Sequence, residues 1–358
     1  MKKYLALYVL LLLAIACGQN KTETREAATT PPLFTKEDSM ALDQAKSVFK
    51  AIPAVAENPD NKVTDAKVKL GKILFYDTRL SKTGHNSCNS CHNLAAFGVD
   101  NLATSPGDAG KSGDRNSPTV FNAALHNMQF WDGRAATVEE QAGGPILNPG
   151  EMAMPHKGFL VDMLKKDTLY NRLFTLAFPG ESSPLSFSNV QKSIGAFERT
   201  LLTSSRFDKF MEGDLSALNA SEKEGMQLFI TMGCITCHNG VGIGGGSLQK
   251  FGLVTDYRTL VTSRVNDDGK MKLTGKPSDK DVFKVPGLRN AEKTYPYFHN
   301  GGVASLDSAV VIMSKAQLNK DLLPEEVSKI VSFLKSLTGD IREDAKTFPP
   351  ELKSLVKK

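Results

Sequence analysis

Cys88-Asn89-Ser90-Cys91-His92 and Cys234-Ile235-Thr236-Cys237-His238 are the two stretches that decide the fold of this 358-residue chain. Each is a C-x-x-C-H motif, the attachment sequence of a c-type haem. Cysteines three apart lie about one helical turn from each other, so both can form thioethers to one porphyrin. The adjacent histidine then reaches the iron, and its other ring nitrogen normally donates to a backbone carbonyl. The motifs therefore predict two covalently bound haem c groups.

Three other interpretations of the cysteine pairs stay open. A thioredoxin-like redox pair would need a strand and a helix around C-x-x-C, and it gives no reason for a histidine after both copies. A four-cysteine zinc site would join pairs that are far apart in the sequence. Structural disulfides suit an oxidising compartment, but bridges within C-x-x-C are strained. The chain has five cysteines, and only Cys17 lies outside the motifs, which favours haem.

The N-terminus has the pattern of an export signal. Lys2 and Lys3 precede an apolar run at 4–16 that is too short to span a bilayer. Small residues before Cys17 resemble a bacterial lipoprotein cleavage box, although ordinary cleavage with an incidental Cys17 is an alternative. We expect a signal peptide at 1–16, a flexible polar tether at 17–37, and a periplasmic protein attached to a membrane only by a lipid on Cys17.

Composition and charge describe a globular protein without a nucleic-acid partner. Apolar residues make up 41% and charged residues 23%, close to the averages for soluble folded chains. The net charge of +5 is modest, and Lys and Arg are scattered along the chain. The length suggests two domains.

An internal duplication supports two related halves. The pattern G-x-x-L-F occurs at 71–75 before the first motif and at 225–229 before the second. We predict a mainly α fold of two cytochrome c-like domains, each around one covalently bound haem, with long irregular loops. The domains are predicted at 38–201, joined by 341–358, and at 202–340. Helices are expected at 36–51, 64–75, 188–200 and 221–231 and around 327–337, and loops at 98–118 and 143–155.

Four longer blocks carry a family resemblance: N-S-P-T-V-F-N at 116–122, Q-F-W-D-G-R-A at 129–135, E-Q-A-G-G-P-I at 140–146 and Y-P-Y-F-H-N-G at 295–301. With them the sequence resembles the bacterial dihaem cytochrome c peroxidases. The resemblance implies an enzyme that reduces hydrogen peroxide to water. Electrons from a small c-type cytochrome or a cupredoxin would reach a high-potential C-terminal haem and pass to a peroxidatic N-terminal haem.

The resemblance also implies roles for single residues at the peroxidatic haem. His92 would be the proximal ligand, with Gln141 and Glu151 on the open face. Glu151 can move a proton between the two peroxide oxygens, and Gln141 can hydrogen-bond the peroxide. Trp131 would lie between the haems, where it either assists electron transfer or packs the interface.

For the second haem, the resemblance implies His238 as proximal ligand and Met313 as the sixth ligand, with Met271 as the competing candidate. Methionine ligation raises the potential of a haem, as a site of electron uptake requires. A calcium ion is expected between the domains, at the positions of Asn116, Thr294 and Pro296.

The chain departs from many family members at one position. In those members a second histidine from the loop after the first motif closes the oxidised peroxidatic haem, and here Asp108 stands at that position. We therefore predict a first haem without a second histidine and an enzyme that needs no reductive activation. His126, His85 and His156 are the candidates that would overturn this.

Two other functions remain as alternatives. A pure electron carrier would have ligands on both faces of both haems, and Gln141 and Glu151 argue against it. A relative that oxidises a protein substrate would carry tyrosine in the place of Met313. The sequence is compatible with a homodimer.

Overall fold

The computed structural model describes residues 35–108, 110–262 and 266–353. In these parts of the chain α-helices dominate, and two short strands pair antiparallel. No helix within them is long and apolar enough to cross a membrane. The predicted signal peptide, Cys17 and nearly all of the tether fall outside the described residues.

The described elements follow one another along the chain with long irregular connections. The helices are α1 (Lys36–Val48), α2 (Asp65–Tyr76), α3 (Cys88–Cys91), α4 (Val138–Leu147), α5 (Lys157–Lys165), α6 (Thr168–Ala177), α7 (Phe187–Glu198), α8 (Arg206–Met211), α9 (Ala220–Thr231), α10 (Met271–Thr274), α11 (Leu306–Leu318), α12 (Pro324–Ser336) and α13 (Glu343–Lys346). The strands are β1 (Leu248–Lys250) and β2 (Val282–Lys284).

The first core cluster is built around the crossing of α2 and α7. The Thr64 hydroxyl caps α2 by accepting from the backbone of Lys67, and the apolar residues of α2 recur at helical spacing and are buried. At the crossing the two backbones touch, because a Cβ on Gly71 would lie 1.9 Å from the carbonyl oxygen of Ser193. Cys88 packs against this cluster, so the first motif is attached to it.

The second core cluster repeats this construction with α9 and α12. A Cβ on Gly225 would lie 1.8 Å from the carbonyl oxygen of Lys329, so this crossing also requires glycine. Cys234 packs against the cluster. The glycine of each G-x-x-L-F pattern thus makes the same kind of helix contact, as expected for a duplicated unit.

A third, smaller cluster is formed by aromatic residues. Phe251 stacks on Tyr257 with ring centroids 4.4 Å apart, and Phe283 stacks on His299 at 4.1 Å. Trp131 and Met313 pack against this cluster from its edge. It therefore contains neither cysteine motif but contacts two predicted site residues.

The predicted helices are all present, with ends within a few residues, but one predicted loop is wrong. The segment 143–155 was expected to be irregular, yet α4 continues to Leu147 and includes Pro145. The Thr137 hydroxyl caps this helix, and Ala142 and Ile146 are buried in the first cluster, which offsets the weak helix propensity of Gly143 and Gly144.

Packing at the two ends of the described chain bears on the predicted domain bounds. Ala45 of α1 and Phe49 lie in the second cluster, against Phe207, although residues from 38 onward were predicted to join the first domain. Ala345 and Leu352 lie in the first cluster. The domain bounds stay predictions, and the start of the first one is better placed after α1.

Candidate functional site

Both cysteine motifs form one closed helical turn. The backbone N–H of His92 donates to the carbonyl of Cys88 at 2.9 Å, and that of His238 donates to Cys234 at 3.0 Å. All four motif cysteines are free thiols and partly buried. Burial raises the pKa of each thiol, to about 11 for Cys234, so all four are protonated at neutral pH.

The first-motif histidine is half-buried, and its ring nitrogen Nδ1 is buried without a hydrogen-bond partner among the described residues. Burial lowers the pKa of His92, and the backbone groups of Gly98 and Pro118 beside the ring act in the opposite direction. Nevertheless, Nδ1 of His92 has no hydrogen-bond partner among the described residues. The expected bond to a carbonyl is therefore not formed, although the Pro118 carbonyl is close enough to act on the charge of the ring.

The second-motif histidine has the same environment. Burial lowers the pKa of His238 to about 4, and the backbone of Pro286 acts against this. A Cβ on Gly244 would lie 2.3 Å from the Pro286 carbonyl oxygen and 3.1 Å from Nδ1 of His238. Gly244 also has a φ of +122°, so only glycine fits beside this ring.

These features fit a haem c at each motif. Each site offers two unpaired thiols on one turn and a neutral imidazole whose buried Nδ1 has no partner among the described residues. A neutral imidazole is the form that binds iron. The two pairs lie in different core clusters, so they do not form one four-cysteine site.

Glu151 lies beside the first motif. Its negative charge contributes to the raised pKa of the thiols of both Cys88 and Cys91. Asn148 donates to Glu151 Oε1 at 2.8 Å. Burial raises the pKa of Glu151, while the bond from Asn148 and the charge of Arg134 act in the opposite direction. The carboxyl therefore holds a proton more readily than an exposed glutamate, as suits a group that accepts and returns one.

Gln141 belongs to the same stretch of chain as Glu151. It lies in the first turns of α4, half-buried, and Glu151 follows in the turn after the helix ends. The Glu151 backbone donates to Asn148, the C-cap residue of α4, at 3.0 Å. Helix α4 therefore fixes both residues, and a role of Gln141 toward peroxide stays a prediction.

Trp131 connects the two chain segments that run beside His92 and His238. Its indole Nε1 donates to the carbonyl of Asn116 at 2.9 Å. Asn116 is two residues before Pro118, whose backbone lies beside His92. The backbone carbonyl of Trp131 accepts from the backbone N–H of Lys284 at 2.6 Å, two residues before Pro286, whose backbone lies beside His238. Residue 131 is thus bonded to the surroundings of both motifs, through its indole at the first and through its backbone at the second.

Met313 lies half-buried on α11 and packs against the aromatic cluster. Leu306 and Val310 of the same helix pack against the second cluster, which also holds Cys234. Met271 begins the short helix α10. Ligation of the second iron by Met313 stays a prediction.

The predicted calcium positions meet at one loop. Asn116 Nδ2 donates to the carbonyl of Leu102 at 2.8 Å, and Asn101 Nδ2 donates to the carbonyl of Tyr295 at 2.8 Å, between Thr294 and Pro296. The amide nitrogens of both asparagine side chains are used in these bonds, so the side-chain oxygens are the atoms left to bind a cation. Across the described segments no cluster of three or more His, Cys, Asp or Glu side chains could hold a metal. A calcium site here would depend on carbonyl oxygens, and it stays a prediction.

Asp108 holds two loops of the first site together. Its carboxylate accepts from the hydroxyls of Ser81 and Thr83 at 2.8 Å each and from the backbone of Thr83 at 2.7 Å. Burial alone would raise the pKa of Asp108, but these hydrogen bonds outweigh it and lower the pKa. Asp108 is thus an ionised loop anchor.

The three alternative histidines lie elsewhere or are already engaged. His126 contacts the glycine loop of the second motif, since a Cβ on Gly245 would lie 2.1 Å from its ring. His85 Nδ1 is 2.8 Å from the Thr83 hydroxyl. His156 caps α5 through a bond from the backbone of Phe159 at 3.1 Å.

Sequence reasoning missed three neighbours of the first motif. Asn148 donates a hydrogen bond to the Glu151 carboxyl. The guanidinium of Arg134 lies 3.4 Å from the centre of the Phe130 ring, and its positive charge works to lower the pKa of Glu151. Glu198, at the end of α7, is buried beside Cys88, and burial raises its pKa to about 8. Arg134 stands in a block that the resemblance used, but a single sequence carries no signal for the other two.

Comparison with known proteins agrees with this site. Residues 65–216 match the profile of the family described as di-haem cytochrome c peroxidase. The chain is 45% identical over 309 residues to a cytochrome c551 peroxidase of Nitrosomonas europaea, covering 86% of this chain and 88% of that one. It is 44% identical over 299 residues to the cytochrome c551 peroxidase of Pseudomonas aeruginosa, covering 83% of this chain and 86% of that one. The crystal structure of a MauG-like protein associated with microbial copper homeostasis is also similar, with a TM-score of 0.73 and 29% identity, covering 84% of this chain and 97% of that one.

Two haem-attachment turns in a helical fold and a half-buried acid beside one of them define a class of protein. The chain belongs to the di-haem cytochrome c peroxidase family. The family implies two haem c groups. The activity is that of a cytochrome c peroxidase, an oxidoreductase that reduces hydrogen peroxide with electrons from a redox protein.

Proposed function

We propose that peroxide reduction takes place at the first motif and that electrons enter at the second. The two haems, held by the cysteines and histidines of the motifs, would pass on the donor's electrons, and the iron at the first motif would supply the binding site for peroxide. The observation that carries the proposal is the position of Glu151, a half-buried carboxyl with a raised pKa beside Cys88 and Cys91. Within the described part of the chain no comparable acid acts on the second motif: Lys320 and Cys237 act on Cys234, and the Gln249 side chain acts on Cys237.

Glu151 takes a proton from one peroxide oxygen and returns it to the other, which leaves as water as the O–O bond breaks. The remaining oxygen becomes the second water molecule with two electrons from the donor, delivered through the haems, and two protons from solvent. Asn148 orients the carboxyl for this by holding Oε1 at 2.8 Å. Gln141 donates a hydrogen bond to the peroxide as charge moves between its oxygens.

Electrons pass from the second motif to the first by way of Trp131. Two hydrogen bonds support this path. The indole Nε1 of Trp131 donates to the carbonyl of Asn116, and the backbone N–H of Lys284 donates to the carbonyl of Trp131. Met313 ligates the second iron and keeps its potential high enough to accept electrons from the donor.

The first haem carries no second histidine in the oxidised protein. Asp108 occupies the position from which that histidine would come, and its bonds to Ser81 and Thr83 hold the loop in place. His126 is engaged at the other motif. The enzyme therefore works without reductive activation.

The donor is a small c-type cytochrome or a cupredoxin, and two relatives are named for cytochrome c551. A calcium ion at Asn116, Thr294 and Pro296 holds the segment before Trp131. The protein acts in the periplasm, attached to a membrane by a lipid on Cys17. These assignments rest on the sequence patterns and on the resemblance.

The variant Glu151→Gln tests the proposal. It keeps the shape and the bond partner of the side chain but cannot accept the proton, so we expect the peroxide kcat/KM to fall by about 100-fold or more. The optical spectra of both haems should stay unchanged. Glu212→Gln is the control, because Glu212 is an exposed glutamate remote from both motifs. Equal turnover by Glu151→Gln and the unmodified enzyme would refute the assignment.

A further inference from the structure

Lys284 is a buried lysine without a counter-ion. It is only 5% exposed, at the end of β2. Among the residues that the structure describes, its ammonium group forms no hydrogen bond and no ion pair. An isolated buried ammonium is strongly disfavoured, so such a group either loses its proton or has an anionic partner.

Strand geometry directs this side chain toward the second motif. Successive side chains of a strand point to opposite faces, and Phe283 stacks on His299 in the aromatic cluster. Lys284 therefore points away from that cluster. Its positive charge acts on the rings of both His238 and His126, which places it beside the proximal histidine.

The backbone holds Lys284 firmly in this position. Its N–H donates to the Trp131 carbonyl at 2.6 Å, and the next residue, Val285, both donates to Ser247 and accepts from Gly245 at 2.9 Å. These bonds connect β2 to the glycine loop that follows His238. The lysine is thus fixed at the edge of the second haem site, on the side of Trp131.

We propose that Lys284 binds a carboxylate of the second haem, where it forms a buried ion pair that raises the potential of that haem. Haem c carries two propionate carboxylates, and no acidic side chain of the described residues pairs with Lys284. A pair on the Trp131 side would also anchor the haem edge that faces the first motif. The inference requires that the second motif carries a haem, and it holds whichever motif reduces peroxide.

Replacement of Lys284 in the holoenzyme tests this. The reduction potential of the second haem is measured by optical titration without peroxide, so the outcome is independent of peroxidase activity. For Lys284→Met we expect the ferric-to-ferrous equilibrium constant to shift about tenfold toward the ferric form, the effect of losing a unit charge about 10 Å from the iron. Lys284→Arg keeps the charge and should keep the potential.

Lys250→Met is the matched control, because Lys250 lies on the neighbouring strand β1 but is exposed. An unchanged potential in Lys284→Met would overturn the proposal. If Lys284→Met does not retain its haem, a crystal structure of the unmodified holoenzyme decides. Lys284 Nζ should lie about 2.8 Å from a propionate oxygen, and a propionate paired elsewhere would contradict the inference.

Discussion

The backbone N–H of Asp108 donates to the carbonyl of Glu151 at 2.7 Å. The loop after the first motif is therefore bonded to the residue that we assign to proton transfer. Because the Asp108 carboxylate holds Ser81 and Thr83 as well, one residue joins three segments of the first site. A change at position 108 should thus alter both the access to the first haem and the placement of Glu151.

The unmodified enzyme should turn over peroxide in its fully oxidised form without pre-reduction. Asp108→His should restore the histidine that other members use, so we expect a low-spin bis-histidine first haem in the oxidised variant and activity only after pre-reduction. Electron-paramagnetic spectra and a peroxidase assay measure the two effects. Asp114→His, at an exposed position of the same loop, should behave as the unmodified enzyme. A low-spin bis-histidine signal in the unmodified protein would disprove the prediction.

Peroxidase activity should have an acidic limit set by Glu151. The residue must be ionised to accept a proton, and burial raises its pKa above the ordinary value of 4.5. We therefore expect kcat/KM to fall as the pH decreases through this raised pKa. Asn148→Ala removes a bond that lowers the pKa, so the limit should move to higher pH. An acidic limit in Asn148→Ala that stays in place or moves to lower pH would speak against Glu151 as the titrating group.

Met313→Ala should remove the charge-transfer absorption typical of methionine-ligated ferric haem and lower the potential of the second haem. Met271→Ala, the competing candidate, should leave both unchanged. Optical spectra of the oxidised variants and a redox titration make the comparison. If Met271→Ala loses the band and Met313→Ala keeps it, the ligand assignment is reversed.

The fully buried pair of Arg289 and Asp208 should contribute strongly to stability. Two hydrogen bonds of 2.8 and 2.9 Å join the guanidinium to the carboxylate. Burial alone would raise the pKa of Asp208, but the charge of Arg289 and the hydrogen bonds from Arg289 and Ser205 lower it below the ordinary value of 3.8. The ionised Asp208 therefore contributes its full stabilisation of the folded protein at pH values above 3.8, and this contribution is lost as the pH falls through the pKa of Asp208 in the folded state. Arg289→Met should cost about 3–5 kcal/mol, because it leaves a buried carboxylate unpaired.

In Arg289→Met, burial raises the pKa of Asp208, so the carboxyl takes up a proton at mildly acidic pH and no longer carries an unpaired charge. The loss of unfolding free energy relative to the unmodified protein should therefore be smaller at mildly acidic pH. Urea unfolding at two pH values measures this. Lys329→Met removes the partner of Glu224 from an ion pair in which both side chains are exposed, so it should cost at most about 1 kcal/mol. Equal losses in the two variants would contradict the prediction.

The sequence was most informative where the determinants of structure are local. Thr64 before α2 and Pro324 at the start of α12 mark helix starts, and the apolar spacing in between carries the helical period. The cysteine motifs are local as well, since one turn of chain contains all the protein atoms that attach a haem. By contrast, the second half of α4, residues 143–147, was predicted as part of a loop, because its stability comes from burial in the first cluster and not from the helix propensity of its own residues.

The surroundings of the site could not be predicted because they depend on contacts between distant segments. Glu198 is more than 100 positions from Cys88 in the sequence, and Lys284 is more than 40 from His238. Their chemistry arises from burial, which shifts the pKa of each group, and a single sequence does not report burial of a charged residue. The roles of Gln141, Glu151 and Met313 came from the family resemblance.

The two glycine crossings have a consequence for how this protein can change over time. At Gly71 and Gly225 main chain rests on main chain, so the spacing between α2 and α7 and between α9 and α12 is independent of side-chain size. Mutations elsewhere in either core can accumulate without altering that spacing. The protein can therefore diverge widely in sequence while the helix pair that supports each cysteine motif is preserved.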